Sequence, residues 1–233
     1  MSTKIIALVP AAGTGTRMGD SLPKQYLALN GKPMIFHTLA ALAKVTRIGK
    51  IVVVLAPDDR HWHNFEPDWA TLGARVSVLK VGGKSRGASV ANGLLALADE
   101  MGNSDWALVH DAARPCIRTE LVEQFIDELE SDRVGGLLAL PMADTIKQDD
   151  GALRVVKTIS RNGIWCAQTP QMFRYALLTR ALKNFADATD EAQAIEAMGH
   201  APRLVVGDSS NLKVTYGQDM KLARMLLTED STS

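Results

Sequence analysis

A short apolar stretch at residues 5–9 runs into Pro10-Ala11-Ala12-Gly13-Thr14-Gly15-Thr16, with Arg17 next and Lys24 following Pro23. Small residues and two glycines let a backbone approach a ligand closely. Free amides in such a turn form an anion-binding concavity, and two cations at fixed offsets bring positive charge to the same place. This combination suits a polyphosphate. A ligand-free tight turn accounts for the glycines equally well but gives no reason for both cations. A second glycine turn, Gly82-Gly83-Lys84-Ser85-Arg86, ends another apolar stretch and opens a helix. Taken alone it is an ordinary turn with a capping serine. Asp111 and Arg114 end a third stretch. A carboxylate there can orient Mg²⁺ or a substrate hydroxyl beside phosphates, or can pair with Arg114 to stabilise a turn.

Two common fingerprints are excluded by spacing. A P-loop needs Gly-Lys-Ser/Thr five residues after its first glycine, and none follows Gly13. A dinucleotide loop needs a third glycine where Met18 stands, and an acidic residue about 20 residues further on. No nucleophile–base pair stands out either. Phosphoryl chemistry does not require one, because a phosphate monoester near neutral pH carries a charge of about −1.5 to −2 and can itself attack phosphorus. Catalysis then consists of positioning and charge neutralisation by Arg, Lys and Mg²⁺.

The elements that must hold these residues alternate. Apolar strand-like runs at 5–9, 51–56, 76–81, 106–109 and 136–140 are separated by helix-period segments at 34–44, 58–65, 85–101 and 119–130. This is the pattern of an α/β protein with a doubly wound, mostly parallel sheet, whose ligands lie at the carboxyl ends of the strands. Residues 142–161 break the pattern, being polar and centred on the turn signal Asp149-Asp150-Gly151. They read as a β-arm, unstable alone, that packs on a second copy of the chain. Thr145, Lys147, Lys157 and Arg161 make the arm basic, although a solvated hairpin explains them as well. Strand character returns at 164–168, 204–206 and 212–215, and helices are expected at 174–185, 190–198 and 218–227. Thr189-Asp190-Glu191 looks like a helix cap, and Lys213 in its short strand is ambiguous. His61 and His63 lack a third metal ligand nearby, and His37 lies in an apolar helix.

Composition narrows the class. The 233 residues carry 26 Lys+Arg against 26 Asp+Glu, which argues against bulk binding to nucleic acid. Two cysteines without metal spacing or a disulfide framework point to a reducing, cytoplasmic setting. No apolar window approaches a membrane span. With no linker or repeat, one domain of residues 1–233 is expected, with the arm within it.

Residues 10–18 together with Pro23-Lys24-Gln25-Tyr26 resemble the opening of the cytidylyltransferases that act on 2-C-methyl-D-erythritol 4-phosphate. Gly82-Gly83-x-x-Arg86-x-x-Ser89-Val90, the stretch 109–115, Arg161-Asn162-Gly163-x-Trp165, Gln168-Thr169-Pro170-Gln171, Thr189-Asp190-Glu191 and Asn211-Leu212-Lys213-Val214-Thr215 match the same family in order. The resemblance implies a Rossmann-like nucleotidyltransferase that joins CTP to the polyol phosphate with Mg²⁺ and releases pyrophosphate. By it, Arg17 and Lys24 would neutralise the triphosphate and transition state, and Lys213 would hold the α-phosphate. Pro10, Ala11, Ala12, Gly13, Gly15, Gly82, Gly83, Lys84, Ser89 and Asp111 would surround CTP. Asp111, Arg114, Thr169 and Thr189 would bind the polyol phosphate, joined by Thr145 and Arg161 from the arm of a partner in a homodimer. Asp111 would be the ligand of Mg²⁺ held with the CTP phosphates. Lys84 stands where many members carry an acidic residue, a change compatible with a backbone contact. A ribitol 5-phosphate cytidylyltransferase and a non-catalytic nucleotide sensor are the alternatives, and a nicotinamide oxidoreductase is disfavoured by the missing third glycine.

Overall fold

The structure, a computed structural model, describes residues 3–13 and 22–229. The expectations for Gly15 and Arg17 lie outside the described residues. Seven strands form the main sheet: β1 Ile5–Pro10, β4 Ile48–Val54, β5 Val76–Leu79, β6 Trp106–Val109, β7 Gly135–Pro141, β10 Trp165–Arg174 and β11 Arg203–Val206. Two small hairpins add β2 Ala28–Leu29 with β3 Lys32–Pro33, and β8 Ile146–Asp149 with β9 Val155–Ile159. The order across the main sheet is β11-β7-β10-β6-β1-β4-β5. All neighbours are parallel except β10, which runs antiparallel to both β6 and β7. The mostly parallel, doubly wound architecture expected from the sequence is therefore present.

Alternation along the central strands explains the layers. Ile5, Ala7 and Val9 of β1, Ile51 and Val53 of β4, and Trp106 and Leu108 of β6 face one way. They meet Ile35, Leu39 and Leu42 of helix α1 (Met34–Lys44) and Val122, Phe125 and Leu129 of α4 (Thr119–Leu129). The intervening residues Ile6, Leu8, Val52, Val54, Ala107 and Val109 face the other way. They meet Val90 and Leu94 of α3 (Arg86–Ala96), Leu178 and Leu182 of α5 (Tyr175–Asn184), and Ala192 and Ile195 of α6 (Glu191–Ala197). A strand buried on both faces must read as a continuous apolar run, and these do. Helix α7 (Gly217–Glu229) covers a third cluster with Met34, Ala113, Cys116 and Val214.

Several boundaries differ from the periodicity. The helix expected at 58–65 is displaced: Trp62–Phe65 is one 3₁₀ turn, and helix α2 is Glu66–Ala70 with Pro67 in its first turn. Asp59 takes the backbone amides of His61 and Trp62 on its carboxylate, at 3.0 Å each, and so holds a turn where the helix was expected. The strand expected at 164–168 continues to Arg174. Residues 212–215 are not a strand. Their backbone serves side chains and a loop instead: Lys24 Nζ donates to the Val214 carbonyl at 3.1 Å, and the Val214 amide donates to Ala113 O at 2.8 Å. Among the described residues no helix is long and apolar enough to cross a membrane.

The chain leaves β1, builds β4 and β5 on one side, then returns to place β6 on the other. The carboxyl ends of β1, β5 and β6 thus meet at a switch point, where ligands of such sheets lie. Close contact between the first two turns depends on glycine. A Cβ at Gly82 would collide with the Ala12 methyl and lie 2.7 Å from the Leu55 carbonyl oxygen, and one at Gly83 would lie 2.6 Å from the Ala88 Cβ. Gly82→Ala should therefore lower stability by about 1–3 kcal/mol in urea denaturation. Gly13→Ala, whose Cβ meets nothing within 4 Å, should stay within about 0.5 kcal/mol of the parent. Equal effects of the two would contradict the packing account.

Candidate active site

A cavity of 510 Å³ opens at the switch point. The first loop contributes Pro10, Ala11, Ala12 and Gly13; the second turn contributes Gly83, Lys84, Ser85, Arg86 and Ser89. Lys24, Gln25, Asp111, Ala112, Ala113, Lys213 and Thr215 complete the wall. The walls are locked by local bonds. Buried Gln25 donates from Nε2 to Ala11 O at 2.8 Å. Ser85 caps α3 by accepting the Ala88 amide at 3.1 Å. Ser89 Oγ accepts the Gly83 amide at 3.1 Å and donates to Ser85 O at 2.9 Å. The second turn is thus fixed by the first turn of the helix it opens.

Asp111 is the one carboxylate lining the cavity among the described residues. Its Oδ1 accepts Arg86 Nε at 2.7 Å, and its Oδ2 meets Lys213 Nζ at 2.8 Å and Arg114 Nε at 3.9 Å. Burial alone would raise its pKa, but Arg86 first and then Lys213 hold the carboxyl well below the usual carboxylate range. Arg86 also grips Glu191 through both terminal nitrogens, at 2.6 and 3.0 Å. Glu191 is 0% exposed. Burial pushes its carboxyl up, and the two-point contact with Arg86 opposes that push.

The loop after β6 is held from behind. The Asp111 amide donates to Thr169 Oγ1 at 3.0 Å, and that hydroxyl lies 3.1 Å from His110 Nδ1. The hydroxyl has one proton to give. The Arg114 carbonyl oxygen, 3.4 Å from His110 Nε2, can only accept, so Nε2 carries the proton of the neutral ring and the Thr169 hydroxyl donates to Nδ1. Burial lowers the His110 pKa to about 4, with Asp111 opposing and Arg114 assisting, so the ring is neutral near pH 7. Arg114 donates to Asn211 O at 2.6 Å, and Asn211 Nδ2 donates to Thr169 O at 2.8 Å. Arg114 Nε has no hydrogen-bond partner among the described residues.

Of the residues singled out from the sequence, Pro10, Ala11, Ala12, Gly13, Lys24, Gly83, Lys84, Ser89, Asp111 and Lys213 line this one cavity. Gly82 lies behind it as the close-contact residue. Arg114 and Thr169 are buried behind the Asp111 loop. Thr189 precedes α6, its amide donating to Gln193 Oε1 at 2.6 Å, and Asp190 caps that helix by accepting the Gln193 amide at 2.9 Å. Thr145 and Arg161 stand apart, exposed on the β8–β9 arm, where Arg161 donates to Ala143 O. The apolar residues Leu153, Val155 and Val156 of the arm project into solvent. Arg86 and Glu191 received no role from the sequence. One signal was available for Arg86. A cation opens α3, whose first turn has no acidic residue, against the preference of the helix dipole, so a partner outside the helix was called for. Among the described residues no group of three or more His, Cys, Asp or Glu side chains converges as a metal cage. A lone carboxylate beside a phosphate pocket still fits Mg²⁺, which commonly binds through one or two carboxylates plus substrate phosphates.

The family model for 2-C-methyl-D-erythritol 4-phosphate cytidylyltransferase (IspD) matches residues 5–229. A relative of that description from Dechloromonas aromatica (strain RCB) is 54% identical over 221 residues, covering 95% of this chain and 96% of the relative. One from Nitrosospira multiformis is 51% identical over 225 residues, covering 95% and 96%. Among solved structures, a 4-diphosphocytidyl-2C-methyl-D-erythritol synthase superposes with a TM-score of 0.86 at 37% identity, covering 97% of this chain and 100% of that one. The Francisella tularensis enzyme gives 0.81 at 34% identity, covering 96% and 100%.

The neutral, buried imidazole makes an acid-sensitive joint. Unfolded, His110 binds its proton near pH 6.5; folded, it resists protonation to about pH 4. Between those values the unfolded chain holds the extra proton, so stability falls as pH falls, by on the order of 3 kcal/mol across the window. The Asp111 carboxyl is lowered as well, Arg86 and Lys213 outweighing burial, and its contribution is lost in the same sense but only at lower pH. Urea denaturation at pH 7 and pH 5 should show a steeper loss for the parent than for His110→Gln, and parallel losses would rule the joint out.

Proposed function

The chain belongs to the 2-C-methyl-D-erythritol 4-phosphate cytidylyltransferase family, and from that premise we propose how its residues divide the reaction. The enzyme transfers the cytidylyl group of CTP to 2-C-methyl-D-erythritol 4-phosphate, giving 4-diphosphocytidyl-2-C-methyl-D-erythritol and pyrophosphate, in the non-mevalonate route to isoprenoid precursors. The observation that carries the assignment of roles is the Asp111–Lys213 contact of 2.8 Å in the cavity between the two glycine turns. It sets a carboxylate for a substrate beside a cation for a phosphate.

An acceptor phosphate oxygen attacks the α-phosphorus of CTP, and pyrophosphate departs from the opposite side. The dianionic monoester needs no general base. The protein's task is to align the two phosphates and to meet the charge that accumulates between them. Lys24 and Lys213 are assigned to that charge, Lys213 exchanging Asp111 for the α-phosphate, and Arg17 joins them by its place in the opening motif. The turns at 10–13 and 82–89, with Gly15, are assigned to the nucleotide. Ser89 favours this, because it lines the cavity and fixes the second turn by accepting the Gly83 amide. Asp111, Arg114, Thr169 and Thr189 are assigned to the polyol phosphate. The Nε of buried Arg114 favours that reading: among the described residues it has no hydrogen-bond partner, only the longer contact with Asp111, and a buried donor without a hydrogen bond is costly. Mg²⁺, with Asp111 as its protein ligand, would neutralise the triphosphate. Residues 142–161 are assigned to a homodimer of single-domain subunits, where the arm brings Thr145 and Arg161 to the neighbouring site. The exposed Leu153, Val155 and Val156 support this, because such side chains call for cover. The free cysteines Cys116 and Cys166 accord with a cytoplasmic location.

Pyrophosphate release from CTP and Mg²⁺ is expected with methylerythritol phosphate and not with ribitol 5-phosphate; the reverse would reject the acceptor. Arg17→Ala and Lys24→Ala should lower kcat by on the order of 10²–10³ with a much smaller change in CTP affinity. Losses confined to affinity would remove both from the transition state. Mixed Arg161→Ala and Lys213→Ala chains should regain activity on exchange, because each heterodimer rebuilds one intact site. Silence after verified exchange would count against the shared arm.

A further inference from the structure

Arg86 and Glu191 each open a helix, α3 and α6, on the same side of the sheet. The guanidinium of Arg86 meets three oxygens at once: both of Glu191 and Oδ1 of Asp111. Glu191 is fully buried and does not line the cavity, whereas Arg86 does. The pair is not needed to hold α3 and α6 together, because Val90, Leu94, Ala192 and Ile195 already share one apolar cluster. A buried ion pair is seldom a net source of stability over an apolar pair of the same volume. The fork does accomplish something apolar residues cannot. With both terminal nitrogens turned on Glu191, Arg86 meets Asp111 through Nε alone. Oδ2 of Asp111 is thereby left to Lys213.

Glu191 is itself held in place. Gln171 of β10 accepts the Ala192 amide on Oε1 at 2.8 Å and donates to Asp190 at 3.0 Å. The first turn of α6, two residues past Thr189, is therefore pinned to the strand that also carries Thr169. Arg86 for its part follows directly on the glycine turn assigned to the nucleotide. We propose that the Arg86–Glu191 pair is a positioning strut that aims the Asp111 carboxylate and ties the nucleotide turn to the acceptor segment at Thr189. Without the Glu191 charge, the Arg86 fork is free to turn both arms on Asp111, withdrawing that carboxylate from Lys213 and from the acceptor. Arg86 and Glu191 act through Asp111 and are not themselves reacting groups. The inference rests on the reading of Asp111 as an acceptor contact.

The test compares Glu191→Gln, Arg86→Lys, their double variant and Asp111→Asn in the intact protein. The readouts are steady-state pyrophosphate release with CTP and acceptor varied separately, CTP binding by calorimetry, and thermal unfolding. Glu191→Gln should raise the acceptor KM and lower kcat, together by about tenfold to a hundredfold in kcat/KM for the acceptor. The Kd for CTP should stay within about threefold, which is the split a general loosening of the fold would not produce. Arg86→Lys keeps the charge but not the fork, and should show the same acceptor defect. The double variant should lose little beyond either single change, since both act on one strut. Parallel losses in CTP affinity and acceptor KM, or additive losses in the double variant, would overturn the proposal. If Glu191→Gln does not fold, Arg86→Lys decides by the same split. Asp111→Asn separates the two levels. A crippled Asp111→Asn beside unchanged Glu191→Gln and Arg86→Lys defeats the strut alone. An unimpaired Asp111→Asn defeats the reading of Asp111 and the strut with it.

Discussion

Asp111 is a charge held almost out of water, and such a group is tolerable only where cations and hydrogen bonds meet it. Arg86 reaches it from the start of α3 and Lys213 from the segment before α7, while Thr169 of β10 receives its backbone amide. These partners are far apart along the chain, and only the sheet order brings them together. β6 lies between β1 and β10, so the loop that leaves it is flanked by the first glycine turn on one side and by Thr169 on the other. The site is thus a consequence of topology before it is a consequence of any single side chain.

The neutral overall charge conceals a strongly polarised locality. Arg86, Arg114 and Lys213 converge on Asp111, and Lys24 lines the same cavity. Acid partners reduce this positive excess, Glu191 from beneath and Asp111 within, leaving a cavity that favours anions without the repulsion of unpaired cations. The neutral His110 fits the same logic: a second buried positive charge beside Arg114 would be opposed by both desolvation and repulsion.

The layers were legible in the sequence because strands covered on both faces must read as unbroken apolar runs. The second glycine turn was legible because close approach leaves no room for a side chain at Gly82 or Gly83. What sequence could not display were pairings across the fold. Glu191 follows a capping aspartate and has the look of an ordinary helix-opening acid, yet it is fully buried against Arg86. Residues 212–215 alternate like a strand, but the Val214 carbonyl and amide are committed to Lys24 and Ala113, and the Thr215 amide to Asp219. In the arm, periodicity marks residues 155–156 as strand but does not show that Leu153, Val155 and Val156 stand in solvent.

The root of the arm has a mechanical implication. β7 enters the arm and β10 leaves it, and the two pair side by side from Gly135 and Phe173 up to Pro141 and Trp165. The hairpin is consequently mounted on two rails in the middle of the sheet, not on a surface loop. One rail carries Thr169, which grips the amide of Asp111. A displacement of the arm therefore acts on the strand that carries Thr169 and, through Thr169, on the Asp111 loop beside the cavity.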